Sequence, residues 1–216
     1  MSSVAAPLRV EVVSDFVCPW CFIGKRRLEL ALASRPEVTA EWSYRPFLLD
    51  PATPEAGADL RERLLRKYGD PEPLFRRVEN AAKENGIDLD FSKIRRSVST
   101  VRAHTLSRHA IAKGTQRALV ESLFAAYFLE GRDISAMDVL VELAGKAGFD
   151  EAECIALLES PEELSETRAA AAEAAEQGIS GVPFTIVEKP GQGQRFAVSG
   201  AQAPEVFVRA IDRALA

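Results

Sequence analysis

Long apolar runs, histidine, cysteine and excess positive charge are all scarce in this chain, and each scarcity removes a class of function. No apolar run approaches the length that crosses a bilayer, so no membrane partner is expected. Lys and Arg number 27 against 32 Asp and Glu, a net charge of −5. Phosphate binding needs a basic surface, so nucleic acid is not an expected partner. The arginines between 61 and 108 are interleaved with Glu and Asp and read as solvated helix faces. Three cysteines in 216 residues do not make a structural disulfide framework. The start, MSSVAAPLRV, has neither a basic n-region nor an apolar h-region, so no secretory signal is expected and the expected compartment is the cytoplasm. Hydrophobic residues at 47% and charged residues at 27% match an ordinary globular chain, either one compact unit or a domain with a large insertion.

What is present centres on Ser14 to Arg27, SDFVCPWCFIGKRR. An apolar run from Leu8 to Val13 reads as a strand leading into it. Behind it, Ile23, Leu28, Ala31 and Leu32 share one helical face over 19–34. Pro19 suits the first helical position, where its missing N–H costs nothing. Cys18 is thereby placed at a helix N-terminus, before unpaired N–H groups and the positive end of the helix dipole. Both favour a thiolate there. Cys21, one turn further in, is expected to be more buried and placed to attack a mixed disulfide on Cys18, which is the machinery of thiol–disulfide exchange.

A Cys-x-x-Cys pair is also half of a zinc site, and His104 and His109 have the spacing of the other half. They lie over eighty residues away, whereas compact zinc modules use a spacer of about 12–15. No metal is therefore expected. The weight on the redox side comes from Gly181-Val182-Pro183-Phe184. A helix stop at Gly178, a short turn and a strand starting at Phe184 form a sharp entry into the sheet. A cis Val182–Pro183 bond is expected there, against the roughly 5–6% base rate of such bonds.

Taken together, SDFVCPWCFIGKRRLE (14–29), RPFLLDP (45–51), AH (103–104), LFAAYFLEGRDI (123–134), GISGVPF (178–184) and VSGAQAPEVF (198–207) resemble a thioredoxin-superfamily disulfide oxidoreductase of the DsbA type, FrnE-like branch. One departure is Ser99, where similar proteins usually carry Asn before the threonine. The resemblance implies a dithiol–disulfide oxidoreductase, with isomerase activity as an extension. Cys18 would be the attacking thiol and Cys21 the resolving one. Pro19 and Trp20 would shape the site, and Val182 and Pro183 would lie beside Cys18 and hold a substrate backbone like an added strand. His104 would overlook the dithiol. No bound cofactor is implied, since the electrons reside in the dithiol, and glutathione is a candidate co-substrate. The expected partner is a thiol or disulfide, protein or small molecule, and the expected state a monomer or homodimer. Similar folds serve the 2-hydroxychromene-2-carboxylate isomerases and kappa-class glutathione transferases, which keep serine where Cys18 stands. A glutathione-dependent isomerase or transferase is thus the alternative.

The fold class read from the chain is α/β: a thioredoxin fold, its mixed sheet flanked by helices, with an inserted all-α domain. Residues 1–50 and 161–216 are assigned to the thioredoxin-like part and 51–160 to the insertion. Val38 to Tyr44 alternates as a second strand closed by Pro46, parallel to the first. From 51 to 160 only helices are read. One starts at the Asp59-x-x-Glu62 box, a second at Asp70-Pro71 and a third runs from Thr100 to Lys113. The fourth spans 115–130, the fifth is capped by Ser135 and the sixth begins at Asp150-x-x-Glu153. Ser160-Pro161-Glu162-Glu163 opens a further helix stopped at Gly178. A hairpin over 184–199 and a helix from Pro204 complete the chain. Asp15 reads as a strand-end cap, in preference to a group tuning proton transfer to Cys21, Cys154 as a small core hydrophobe, and Lys25, Arg26 and Arg27 as a solvated face.

Overall fold

A computed structural model describes residues 7–216; the stretch read for a targeting signal lies mostly outside the described residues. The chain opens with β1 (Leu8–Ser14), α1 (Pro19–Ala33) and β2 (Ala40–Pro46). A short strand β3 (Ala58–Asp59), α2 (Leu60–Tyr68) and α3 (Glu72–Lys83) follow. After a single 3-10 turn at 91–93 come β4 (Arg96–Ser97), α4 (Val101–His109), α5 (Gln116–Phe128), α6 (Met137–Lys146) and α7 (Glu151–Glu159). The last part is α8 (Pro161–Glu176), β5 (Phe184–Glu188), β6 (Arg195–Ser199) and α9 (Pro204–Leu215).

The main sheet has the order β2-β1-β5-β6. β1 runs parallel to β2, with Leu8 opposite Ala40 and Ser14 opposite Pro46, and antiparallel to β5, with Val12 opposite Thr185. Alternation along β1 sends Leu8, Val10 and Val12 into the large core. Val13 faces the other way, where Phe47, Ala174 and Ile179 close a second, small cluster under α8. The alanine-rich stripe of α8 serves this approach, since Ala171 and Ala174 are buried. Further along β1 the same face carries Glu11, which pairs with Arg45 and Arg195.

The large core is continuous from the sheet into the helical segment. A chain of rings makes the join. Phe16 stands 5.4 Å from Phe124, edge to face, and Phe22 stacks on Phe124 at 5.2 Å. These rings tie the motif helix α1 to α5, and Phe16, Phe22, Phe124 and Phe128 are all essentially fully buried.

Local signals decide most boundaries. Asp59 accepts the Glu62 N–H at 2.9 Å, the Asp150–Glu153 capping box is formed, and the Ser160 hydroxyl accepts the Glu163 N–H. Four readings need correction. The segment 51–160 is not all helix, because β3 pairs with β4 as a two-residue ribbon at the sites Ala58–Ser97 and Asp59–Arg96. α4 ends at His109 and not at Lys113, because residues 110–114 form turns that close on the left-handed Gly114. Ser135 does not cap α6: the Asp133 carboxylate takes its N–H and hydroxyl, which leaves Ala136 at the cap position. Lys25 is not solvated; it is 3% exposed and held between Glu29 and Glu121.

Candidate active site

Cys18 occupies the cap position of α1 with extended backbone (φ −93°, ψ 110°), and Pro19 takes the first helical position. No side chain caps this end and no acidic residue occupies the first turn, so the helix terminus is electrostatically open toward the Cys18 sulfur. Cys21 sits one turn inside, its N–H donating to the Cys18 carbonyl at 3.0 Å. Both carry free thiols. Their exposures are 4% for Cys18 and 1% for Cys21, so the inner sulfur is the more enclosed of two buried ones. Burial pushes the Cys21 thiol well up, with the neighbouring Cys18 sulfur adding to the effect and the Asp15 backbone N–H opposing it. Cys21 is therefore a thiol at neutral pH.

The turn before β5 arrives at the same place. The Cys18 thiol points at the Val182 carbonyl, Sγ to O 3.7 Å. The Val182–Pro183 peptide is cis, and the Pro183 carbonyl is taken by the Gly200 N–H at 2.8 Å. Pro183 also touches α1 at Gly24, where a Cβ would stand 2.8 Å from the ring Cγ. The motif itself does not mark Gly24; its one signal in the sequence is a glycine inside a helix, a residue that costs about 1 kcal/mol there and calls for a packing reason.

Trp20 is half-buried, with the Arg77 guanidinium of α3 5.6 Å from its ring centre. His104 is 3% exposed, 4.4 Å ring to ring from Phe16, and its Nε2 stands 3.5 Å from Asp15 Oδ1 without a hydrogen bond. His109 is elsewhere, on Glu163 of α8 at 2.7 Å. The cap read for Asp15 is also corrected. Its carboxylate reaches across the molecule, accepting the Leu49 N–H at 2.8 Å and the Thr100 hydroxyl at 2.7 Å. Thr100 reads in the sequence only as a helix start and as the threonine beside Ser99; only folding brings it to Asp15. A cavity of about 160 Å³ opens here, lined among others by Val17, Leu49, Leu60, Leu64, Val98 and Thr100.

A strand leading to a helix-capping Cys-x-x-Cys, with a Val-Pro turn laid against the first sulfur, matches one family model over residues 9–212, the DSBA-like thioredoxin domain. The chain belongs to the DSBA-like thioredoxin domain family. Its architecture is that fold, a mixed sheet with helices on both faces. A crystal structure of a probable DsbA oxidoreductase from Streptomyces coelicolor is similar at 33% identity and a TM-score of 0.84, covering 96% of this chain and 90% of that one. A 2-hydroxychromene-2-carboxylate isomerase shares the fold at 17% identity and a TM-score of 0.72, over 95% of each chain. The cytosolic disulfide reductase DsbM of Pseudomonas aeruginosa, solved with GSH, shares it at 18% identity and a TM-score of 0.62, over 96% of this chain and 98% of that one. Among the described residues, no helix is long and apolar enough to cross a membrane.

Proposed function

We propose that the protein is a cytoplasmic dithiol–disulfide oxidoreductase that works through Cys18 and Cys21. The observation that carries this reading is the placement of two free thiols one turn apart at an open helix N-terminus, the outer one against Val182. As a reductase, the Cys18 thiolate attacks one sulfur of a substrate disulfide. A Cys18–substrate disulfide forms and the other half of the substrate leaves as a thiolate. Cys21 loses its proton and attacks the Cys18 sulfur, which closes the Cys18–Cys21 bond and releases the second substrate thiolate. Two electrons have passed from the dithiol to the substrate, and the reverse sequence oxidises a substrate dithiol.

The substrate backbone runs along Val182 and Pro183, with Pro19 and Trp20 forming the near rim. The cavity beside Val17 and Leu49 takes a neighbouring substrate group, protein or small molecule. No organic cofactor or metal is needed, because both electrons are held by sulfur. His104, buried beside Asp15, makes no contact with substrate. Family membership and the cytosolic disulfide reductase of the same fold support this reading.

The test is equilibration of the reduced protein in graded glutathione buffers, acid quench, alkylation and mass mapping. A Cys18–Cys21 disulfide that appears reversibly with the glutathione ratio is the expected result. Glutathione that binds without ever oxidising the pair would replace this reading with a glutathione-dependent isomerase or transferase; an isomerase shares the fold.

A further inference from the structure

The reading of Cys18 and Cys21 as the reacting pair leaves open what holds the two sulfurs in register. α1 alone does not: its first turn has no side-chain cap, and the loop before it, residues 15–17, is short of regular structure. Asp15 anchors this loop through its main chain. Its carbonyl accepts the Cys18 N–H at 3.0 Å. One residue earlier, the Ser14 carbonyl accepts the Phe47 N–H at 3.0 Å. The carboxylate of Asp15, with its side chain 2% exposed, is then fixed from outside the loop by the Leu49 N–H on Oδ2 and the Thr100 hydroxyl on Oδ1. A buried carboxylate holds its place only where its oxygens are satisfied, and charge-assisted bonds of this kind are each worth more than neutral ones.

Resting on the oxidoreductase reading, we propose that Asp15 is a positioning residue for the dithiol, with Thr100 as its clamp. Its main chain sets the Cys18 turn, and its carboxylate locks that main chain to the head of α4 and to the loop after β2. The quantity this governs is the local concentration of Cys21 at a Cys18 mixed disulfide. That concentration is what the equilibrium constant of the pair against glutathione measures. A residue that only stabilised the fold would lower the melting temperature and leave that constant unchanged.

The experiment measures the glutathione equilibrium constant at pH 7, where Cys21 is a thiol in the reduced state. Thr100→Val deletes one bond at nearly constant shape, Asp15→Ala deletes both, and Thr100→Ser restores the hydroxyl. The closure constant is expected to fall about fivefold in Thr100→Val, the size of one net hydrogen bond, and further in Asp15→Ala, with Thr100→Ser within about twofold of the parent. Should Asp15→Ala not fold, the pair of threonine variants decides. A folded Thr100→Val with the parental constant, or a Thr100→Ser that falls as far as Thr100→Val, overturns the inference while the parent still closes its disulfide. A parent that never closes it overturns the oxidoreductase reading and this one together.

Discussion

Pro183 lies against Gly24: a Cβ on that glycine would come to 2.8 Å from the ring Cγ, closer than real Cβ atoms pack. The contact joins the turn before β5 to the helix that begins at Cys18, one residue past the second helical turn's start. A proline ring cannot swing aside as a long side chain would. Gly24→Ala should therefore lose the roughly 1–3 kcal/mol of an overpacked core, offset by at most about 1 kcal/mol of helix propensity. The expected outcome in urea titration is a destabilisation of about 1–2 kcal/mol, together with a changed alkylation rate at Cys18. An alanine variant more stable than the parent would mean that the turn yields freely.

Cys18 should be the only thiol alkylated rapidly in the reduced native protein. Cys21 is enclosed and its thiol pushed well up by burial, and Cys154, 1% exposed on α7, is pushed up to about 11 by burial and the Glu153 charge. Neither supplies appreciable thiolate between pH 5 and 9. Mass-mapped iodoacetamide labelling over that range is the check, and comparable labelling at Cys21 or Cys154 would exchange the roles assigned here.

Cys21→Ser should accumulate mixed disulfides through Cys18, and Cys18→Ser should not. Exchange passes through a covalent intermediate that only a second thiolate releases. Non-reducing gels and intact-mass spectra of the two variants, after exposure to a disulfide substrate, read the difference directly. If both variants behave alike, the pair is structural.

Cys154 also contributes a pH dependence. Its folded-state value of about 11 lies above that of an unfolded thiol, so the unfolded chain holds fewer protons between roughly pH 8.5 and 11. The stability attached to the neutral thiol is complete below that window and is lost as pH rises through it, by roughly 3 kcal/mol at most. Cys154→Ala is expected to show a shallower alkaline decline than the parent. Parallel curves from pH 8 to 11 would refute the assignment.

Phe124 carries the join between the sheet and the helical segment, with Phe16 and Phe22 on either side. It is fully buried, so Phe124→Ala should cost about 3–5 kcal/mol. A loss under about 1 kcal/mol by chemical denaturation would show that the ring chain is not what couples the two parts.

Features that depend on short-range interactions are legible in the residues alone. The strand before Cys18, the helix opened by Pro19, the caps at Asp59, Asp150 and Ser160, and the hairpin around Gly191 and Gly193 were legible because caps, turns and periodicity act within a few residues. Distance in sequence removed that guide. The β3–β4 pairing joins residues 58–59 to 96–97 through two-residue strands, too short to show an alternating pattern. Lys25 looked solvated because a charge run normally is, and only the fold brings Glu121 from α5 to hold it. The partners of Asp15 were hidden for the same reason. Nothing in the sequence ties Leu49 or Thr100 to Asp15, and a carboxylate three residues before a cysteine reads as a cap until β2 and α4 close over it. Local propensity wrote the elements. Which side chains share a buried, low-dielectric space was decided by tertiary packing, because a charge taken out of water must find partners wherever the chain supplies them.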